Sequence, residues 1–306
     1  MRVNDLVGNT PLIELKRLSP KGRKVFGKAE YLNPGGSVKD RIGFFMIEKA
    51  LERGELKEGQ PVIEPTAGNT GIALALACCF YGIKMIAVMP GRFSKEKEKI
   101  IVALGGKVVR TPTSEGIEGA IEKAEQLKKE LNGWVPLQFS NPDNAQAHFE
   151  TTAPEIDSQL KNIDAFVAGI GSAGTFVGVS RFLKKVNKNI KCIAIQPEGS
   201  VLLGGNPGPH KVEGIGVDDM GTIKLWEECL CDEIITVSDK DAHLVTKRLA
   251  SEEGLLVGAS SGALVFAALS AAKKLPEGSN VVTLLCDSSE RYISKNIYSS
   301  FEDWEK

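Results

Sequence analysis

The chain has 306 residues, of which 42% are hydrophobic and 25% are charged, which is typical of a globular protein large enough for two domains. Its formal net charge of −1 gives no overall attraction to nucleic acid or to a membrane surface. No apolar run approaches the ~18 residues of a membrane-spanning helix, and the first residues lack the apolar core of a signal peptide, so we expect a cytoplasmic protein that binds neither nucleic acid nor membranes.

Strand-like and helix-like segments alternate in the first half of the chain. A strand over 24–31 precedes a loop rich in Asn, Pro and Gly, and a helix then begins near Ser37 or Val38 and runs to Arg53. The pattern continues with apolar strands and with helices in turn: strands over 61–65, 84–90 and 107–110, and helices over 71–81, 94–104 and 116–131.

The second half repeats the alternation. The predicted elements are strands over 165–170, 191–196, 233–237 and 280–286, and helices over 174–186, over 239–253 and after Ser261. The stretch 199–221 is rich in Gly and too irregular for a core element, and loops of this length are usually functional. The β-α-β-α order predicts an α/β fold with parallel or mixed sheets and helices on both faces. Because no linker interrupts the chain, its domains are expected to be closely joined.

The cysteines and histidines do not form a metal-binding pattern. The six cysteines form no CxxC pair, and the three histidines, His148, His210 and His243, are far apart in sequence. We expect no metal site, and we interpret the cysteines as buried, reduced thiols.

Small and polar residues are concentrated in four turns that lead into helices or follow strands. These turns are 33–41, 64–71, 169–175 and 286–292. In open parallel sheets, ligands bind at the carboxyl ends of the strands, where such turns meet. The four turns together therefore predict a ligand site.

The third turn, Gly-Ile-Gly-Ser-Ala-Gly-Thr over 169–175, lies between a predicted strand and a helix start. Free backbone N–H groups and the helix dipole there can hold a phosphate without Lys or Arg. The same segment matches the GxGxxG pattern, and Glu198 follows where a ribose-binding acid would lie. A dinucleotide-binding oxidoreductase is thus an alternative, but it leaves the other three turns unexplained.

Lys39 lies in the first turn, after Gly-Gly-Ser-Val and before Asp-Arg. Most lysines at helix starts are solvated charges. A lysine near helix-start N–H groups and cations has its neutral amine form favoured, as imine chemistry requires. These residues alone make Lys39 a candidate nucleophile.

The four turns, in order along the chain, resemble the signature motifs of the cysteine synthase and cystathionine β-synthase family. The matching segments are Pro-Gly-Gly-Ser-Val-Lys-Asp-Arg (34–41), Thr-Ala-Gly-Asn-Thr-Gly (66–71), Gly-Ser-Ala-Gly-Thr (171–175) and Ser-Ser-Glu-Arg-Tyr (288–292). Segments at 8–12, 138–142 and 260–262 also fit. The resemblance extends from end to end of the chain.

This resemblance implies pyridoxal 5′-phosphate (PLP) as cofactor. Lys39 would form the internal aldimine and act as acid and base at the substrate Cα, and Asn69 would donate a hydrogen bond to the phenolic oxygen. Ser288 would face the pyridine nitrogen, where a neutral hydroxyl suits β-elimination through an aminoacrylate. The 5′-phosphate would be held by Gly171, Ser172, Ala173, Gly174 and Thr175.

The resemblance also implies a site for the substrate carboxylate. It would be built from Thr66, Ala67, Gly68, Asn69, Thr70 and Gln138, with Gly214 as a further substrate-binding residue. Ala67 replaces the serine that is usual in this loop, and Ala173 replaces a glycine. The run Glu-Gly-Ile-Gly-Val-Asp over 213–218 is similar to the cystathionine β-synthase branch, in particular to short bacterial enzymes that use O-acetylserine.

The architecture implied is a fold type II PLP enzyme, similar to the tryptophan synthase β subunit, that forms a homodimer. Residues 1–34 and 141–306 would form the large domain that binds the PLP phosphate. Residues 35–140 would form a smaller, mobile domain that carries the substrate carboxylate loop.

The leading hypothesis is β-replacement on O-acetylserine, serine or cysteine by a thiol such as homocysteine, giving cystathionine. Alternatives with the same chemistry are a cysteine synthase that uses sulfide and an enzyme that releases sulfide from cysteine with water or a thiol. A non-catalytic binding protein with a relic site is a further alternative. Asp218 is a candidate catalytic residue that orients the incoming nucleophile or accepts its proton, unless it is an ordinary surface carboxylate.

Overall fold

The strands form two separate sheets within residues 1–66, 68–90 and 95–305, which the computed structural model describes. The six-stranded sheet has the order β1-β2-β9-β6-β7-β8, and the three-stranded sheet has the order β3-β4-β5. Only β1 runs antiparallel to its neighbour; all other pairs are parallel. The strands are β1 Leu12–Glu14, β2 Lys24–Ala29, β3 Val62–Pro65, β4 Met85–Pro90, β5 Lys107–Thr111, β6 Ala165–Gly169, β7 Lys191–Pro197, β8 Glu233–Val237 and β9 Asn280–Leu285.

Helices cover the sheets and connect their parallel strands. They are α1 Lys39–Glu52, α2 Asn69–Tyr81, α3 Lys95–Ala103, α4 Gly116–Leu131, α5 Pro142–Ala147, α6 Ala153–Gln159, α7 Gly174–Val186, α8 Asp239–Glu253, α9 Ala259–Lys274 and α10 Phe301–Glu305. A π-helical turn, His148–Thr152, joins α5 to α6. No described helix is both long enough and apolar enough to cross a membrane.

The predicted alternation of strands and helices agrees with the structure, with a few differences. Helix α1 begins at Lys39 instead of Ser37 or Val38, α2 begins at Asn69, and α9 begins at Ala259. The short strand β1 and the helices α5, α6 and α10 are not in the prediction. Helices α5 and α6 are missed because residues 142–159 carry no long apolar period. The stretch 199–221 contains no strand and only one short 3₁₀ turn, as its composition predicts.

Local chemistry accounts for several helix ends. Ser238 caps α8 by accepting a hydrogen bond from the Asp241 N–H, and Gly254 ends it in the left-handed conformation. The last turn of α7 carries Lys184 and Lys185, which complement the negative end of the helix dipole. Most of α9 is buried, as expected for a helix that is apolar on nearly all sides.

Each sheet has its own hydrophobic core. The larger core surrounds the six-stranded sheet and includes Phe166 and Phe176, both fully buried, each worth roughly 1.5–3 kcal/mol of transfer free energy. A second core joins α1 and α2 to the three-stranded sheet and includes Ile42. Val38 belongs to the larger core and Ile42 to the second, so Lys39 lies at their junction.

The cysteines are reduced, as predicted, but not all of them are buried. All six cysteines are free, but only Cys78 and Cys192 are fully buried, whereas Cys79 and Cys229 are exposed. Among the described residues, no group of three or more His, Cys, Asp or Glu side chains is arranged to hold a metal ion.

Candidate active site

The backbone places Lys39 beside the carboxyl end of β9. The N–H of Val38 donates to the carbonyl of Cys286 (2.8 Å), and Ser37 forms an antiparallel bridge with Asp287. The pKa of Lys39 is lowered because its amine is buried, and the nearby Cys286 and Asp287 oppose this shift only in part. Burial, and not neighbouring cations, therefore favours the neutral amine that a nucleophile needs.

A buried ionic network fixes the helix that carries Lys39. Arg41 donates to both carboxylate oxygens of Glu30 (2.7 and 2.8 Å) and to Glu155 on α6 (2.8 Å). Burial raises the pKa of Glu155, but Arg41 and Lys28 outweigh this and lower it to about 2. Because the fork-to-fork geometry permits little rotation, α1 is held in one position.

The glycines of the 169–175 loop are required by contacts with other parts of this protein. A Cβ on Gly169 would lie 2.5 Å from Ile215, one on Gly171 would lie 2.9 Å from the Gly214 carbonyl oxygen, and one on Gly174 would lie 2.0 Å from Asn144. The GxGxxG spacing is thus explained by internal packing, and it does not need a dinucleotide.

Ala173 adopts a φ of +66°, a left-handed conformation that favours glycine. It lies directly before α7, whose first N–H groups have no partner within the helix. The Ser172 hydroxyl accepts from Asn144 (2.9 Å), and Thr175 is the second residue of α7. Main-chain donors and two hydroxyls therefore surround one helix start, which fits a phosphate group.

His148 also belongs to this region, although its isolated position in the sequence carries no signal beyond the lack of a metal-binding spacing. Its Nε2 lies 3.1 Å from the Thr175 hydroxyl, and its Nδ1 lies 2.9 Å from that of Thr152. Burial lowers the pKa of His148 well below its usual value, and the charges of Lys39 and Arg41 lower it further. The neutral form of His148 is therefore favoured, and its contact with Thr175 places this imidazole beside the phosphate-type loop.

The loop after β3 brings two predicted substrate residues together. The hydroxyl of Thr70 donates to Oε1 of Gln138 (2.7 Å). Thr66 is nearly buried at the end of β3, and its hydroxyl accepts from the Gly68 N–H (3.4 Å). Ala67 lies outside the described residues.

The segment after β9 joins the lysine turn to the start of α2. Asn69, the first residue of α2, donates from Nδ2 to the Asp287 carboxylate (2.6 Å) and accepts at Oδ1 from Arg291 (2.6 Å). The Ser288 N–H donates to the Gly36 carbonyl (3.2 Å), and its hydroxyl caps the following 3₁₀ helix. Asp287 and Arg291 are site residues that the sequence analysis did not single out, although Arg291 lies inside a motif that it quoted.

The segment 212–217 packs on the 169–175 loop, with the Gly216 N–H donating to the Ile170 carbonyl (2.7 Å). Glu213 forms ion pairs with Lys97 (2.8 Å) and with Lys295. Asp218 is exposed and makes no side-chain hydrogen bond within the described part of the chain. The backbone of Gly214 therefore packs against Gly171, and Asp218 lies at the surface.

These features define a candidate site with a half-buried lysine of lowered pKa, a phosphate-type helix start, and the Asn69 amide within hydrogen-bonding distance of the segment after β9. Such a set fits PLP, and the family model for pyridoxal-phosphate dependent enzymes matches residues 3–287. The chain belongs to this family, PLP is its cofactor, and the predicted fold type II architecture is confirmed.

Curated relatives cover nearly the whole chain. A cysteine synthase of Helicobacter pylori strain J99 is 47% identical over 302 residues (97% of this chain and 98% of the relative). An O-acetylserine dependent cystathionine beta-synthase of Bacillus subtilis strain 168 is 48% identical over 299 residues (97% of each chain). The class predicted from the sequence, a PLP-dependent enzyme of the cysteine synthase and cystathionine β-synthase type, is confirmed by these relatives.

Two solved structures have the same fold. The O-acetylserine dependent cystathionine beta-synthase from Helicobacter pylori superposes with a TM-score of 0.93 at 47% identity, covering 97% of this chain and 98% of that chain. A hydrogen sulfide-producing enzyme from Fusobacterium nucleatum superposes with a TM-score of 0.90 at 39% identity, covering 95% and 97%.

Proposed function

We propose that this enzyme replaces the β-substituent of O-acetylserine, or of serine, with a thiol such as homocysteine, giving cystathionine. The observation that carries the proposal is the position of Lys39, a half-buried side chain at the junction of the two cores whose pKa is lowered by desolvation. Its neighbour Asp287 also contacts Asn69, and these residues come from three different turns. The comparisons support the reaction class, and the choice of substrates is our inference.

The phosphate of PLP would be held at the start of α7. The N–H groups over 171–175, with the hydroxyls of Ser172 and Thr175, are the donors for it. Asn69 would donate to the phenolic oxygen, and Ser288 would face the pyridine nitrogen. Bound PLP supplies the electron sink that lets the Cα proton and the β-substituent leave.

Lys39 would have two tasks. Its neutral amine would hold PLP at the aldehyde carbon. The same amine, when it is not bound to the cofactor, would accept the proton from the substrate Cα, a role that requires a pKa near the operating pH. The lowered pKa of Lys39 suits both tasks.

The substrate carboxylate would bind at the start of α2. Thr66, Gly68 and Thr70 belong to this turn, and Gln138 contacts Thr70. Backbone N–H groups and hydroxyls at a helix start stabilise a carboxylate, so the turn would orient Cα toward Lys39.

The second substrate would enter beside the segment 212–218. Glu213 is already paired with two lysines, so Asp218 is the carboxylate of this segment that would meet an incoming ammonium or thiol. A cysteine synthase that uses sulfide is the second candidate, because one of the two curated relatives described above carries that name.

Closure of the two domains would exclude water during the reaction. The two sheets and their separate cores support a division into residues 35–140 and the remainder. A homodimer in the cytoplasm is part of the same proposal, and light scattering tests the stoichiometry.

One steady-state comparison tests the proposal. O-acetylserine, serine and cysteine are each supplied with homocysteine or with sulfide, and the products are separated by chromatography. We expect the largest kcat/KM for O-acetylserine with homocysteine. A larger value for O-acetylserine with sulfide would favour the cysteine synthase, and turnover of cysteine alone would favour sulfide release.

A further inference from the structure

The side-chain amide of Asn69 is held from both ends. Its Nδ2 donates to Oδ2 of Asp287 (2.6 Å), and its Oδ1 accepts from Nη1 of Arg291 (2.6 Å). A carboxylate only accepts hydrogen bonds and a guanidinium only donates them. Turning the amide over would place oxygen against oxygen and N–H against N–H, so only one orientation is favourable.

Asp287 and Arg291 are themselves fixed. The Tyr292 hydroxyl donates to the same oxygen of Asp287 (2.5 Å), and Arg291 donates from Nη2 to the Gly35 carbonyl (2.7 Å). Asp287 is 1% exposed and Arg291 is 7% exposed. Because little solvent reaches these groups, each is held by protein contacts, and the orientation they impose on Asn69 is rigid.

The arrangement also explains a glycine in the lysine turn. Gly36 has a φ of +77°, and a Cβ there would lie 2.5 Å from Nη2 of Arg291. Only glycine lets the turn pass this close to the guanidinium. The turn before Lys39, the start of α2 and the segment after β9 therefore meet at Arg291.

We infer that Asp287 and Arg291 are positioning residues that orient Asn69 toward the cofactor. An asparagine amide carries two N–H groups, and Nδ2 gives one of them to Asp287. Within the described residues Nδ2 makes no second hydrogen bond, so the other N–H is left for the phenolic oxygen of PLP. This inference rests on the proposed function, which assigns that oxygen to Asn69.

A double-mutant cycle separates this role from a purely structural one. The dissociation constant of PLP is measured by equilibrium dialysis, and the visible absorbance of the bound cofactor is recorded. The proteins are the wild type and the variants Asn69→Ala, Asp287→Ala and Arg291→Met, singly and with Asn69→Ala. Glu290→Ala is the matched control, since Glu290 is exposed and adjacent to Arg291.

We expect each single change to weaken PLP binding about tenfold, the effect of losing or misdirecting one hydrogen bond. In the Asn69→Ala background, Asp287→Ala and Arg291→Met should cause no further loss, because they act through the amide that is gone. The two variants should shift the visible band as Asn69→Ala does, and Glu290→Ala should leave it unchanged.

Multiplied losses in the double variants would overturn the inference, since Asp287 and Arg291 would then act independently of Asn69. If Asp287→Ala does not fold, the comparison of Arg291→Met with and without Asn69→Ala still tests the inference. Asp287→Asn, which keeps an acceptor oxygen, should retain binding within about threefold of the wild type. A wild-type protein that binds no PLP would instead remove the proposed function, before any variant is compared.

Discussion

The ammonium of Lys97 on α3 lies 2.8 Å from the carboxylate of Glu213, which belongs to the segment packed on the 169–175 loop. Lys97 is 2% exposed, and its ammonium also lies over the Tyr292 ring, 4.6 Å from the centroid. Burial raises the pKa of Glu213, but Lys97 and Lys295 outweigh this and lower it. The charge of Glu213 is thus compensated within the protein, and Asp218 is the carboxylate of this segment that we propose meets a second substrate.

Replacement of Asp218 by asparagine should slow the second half-reaction with homocysteine and leave the first nearly intact. A carboxylate that attracts the ammonium or accepts the thiol proton contributes only after the β-substituent has left. Rapid mixing with O-acetylserine alone, and then with homocysteine, separates the two steps by absorbance. Asp219→Asn is the control, because asparagine retains the turn cap that Asp219 provides. An Asp218 variant that loses neither step would leave this residue an ordinary surface carboxylate.

Replacement of Gln138 by alanine, or of Thr70 by valine, should raise the KM for O-acetylserine about tenfold with a smaller change in kcat. Each change removes one group of the hydrogen-bonded pair that would face the substrate carboxylate. Initial rates over a range of O-acetylserine at saturating thiol give both constants. Ser140→Ala tests for a nonspecific effect of the exposed neighbouring turn, and an unchanged KM in Gln138→Ala would remove Gln138 from the substrate site.

Replacement of Ala173 by glycine should increase the free energy of unfolding by about 1 kcal/mol, because alanine is strained at a φ of +66°. Urea unfolding of the holoenzyme measures the change. Ala263→Gly, inside α9, should have the opposite sign and cost roughly 0.5–1 kcal/mol, because glycine destabilises a helix interior. Equal destabilisation by both changes would show that the left-handed turn carries no strain.

Because of Glu64, the free energy of unfolding should fall as the pH rises. Burial raises its pKa to about 8, from an ordinary value of 4.5, against the opposing hydrogen bonds of Leu137 and Gln138. The unfolded chain loses this proton first, so between about 4.5 and about 8 the unfolded state binds fewer protons and stability falls with pH. Glu64→Gln should flatten this slope. The matched exposed change Glu58→Gln should not, and an unchanged slope in Glu64→Gln would show that Glu64 ionises normally.

The sequence predicts the local elements and the turns better than it predicts their assembly. Apolar runs with flanking Gly and Pro identify most strands, and the quoted motifs identify Lys39 and Asn69. The insertion of β9 between β2 and β6 depends on pairing across most of the chain length, which no local pattern encodes. Asp287 is missed for the same reason, because its contact with Asn69 joins residues 218 positions apart.

Borohydride reduction of the holoenzyme, followed by peptide mapping and turnover assays, identifies the lysine that carries PLP. Reduction should bleach the visible band and add the cofactor mass to the peptide that contains Lys39. Lys39→Ala should lose the band and the β-replacement activity, and the exposed control Lys57→Ala should keep both. Cofactor mass on a peptide with another lysine, or undiminished β-replacement by Lys39→Ala, would contradict the assignment of Lys39 as the residue that carries PLP.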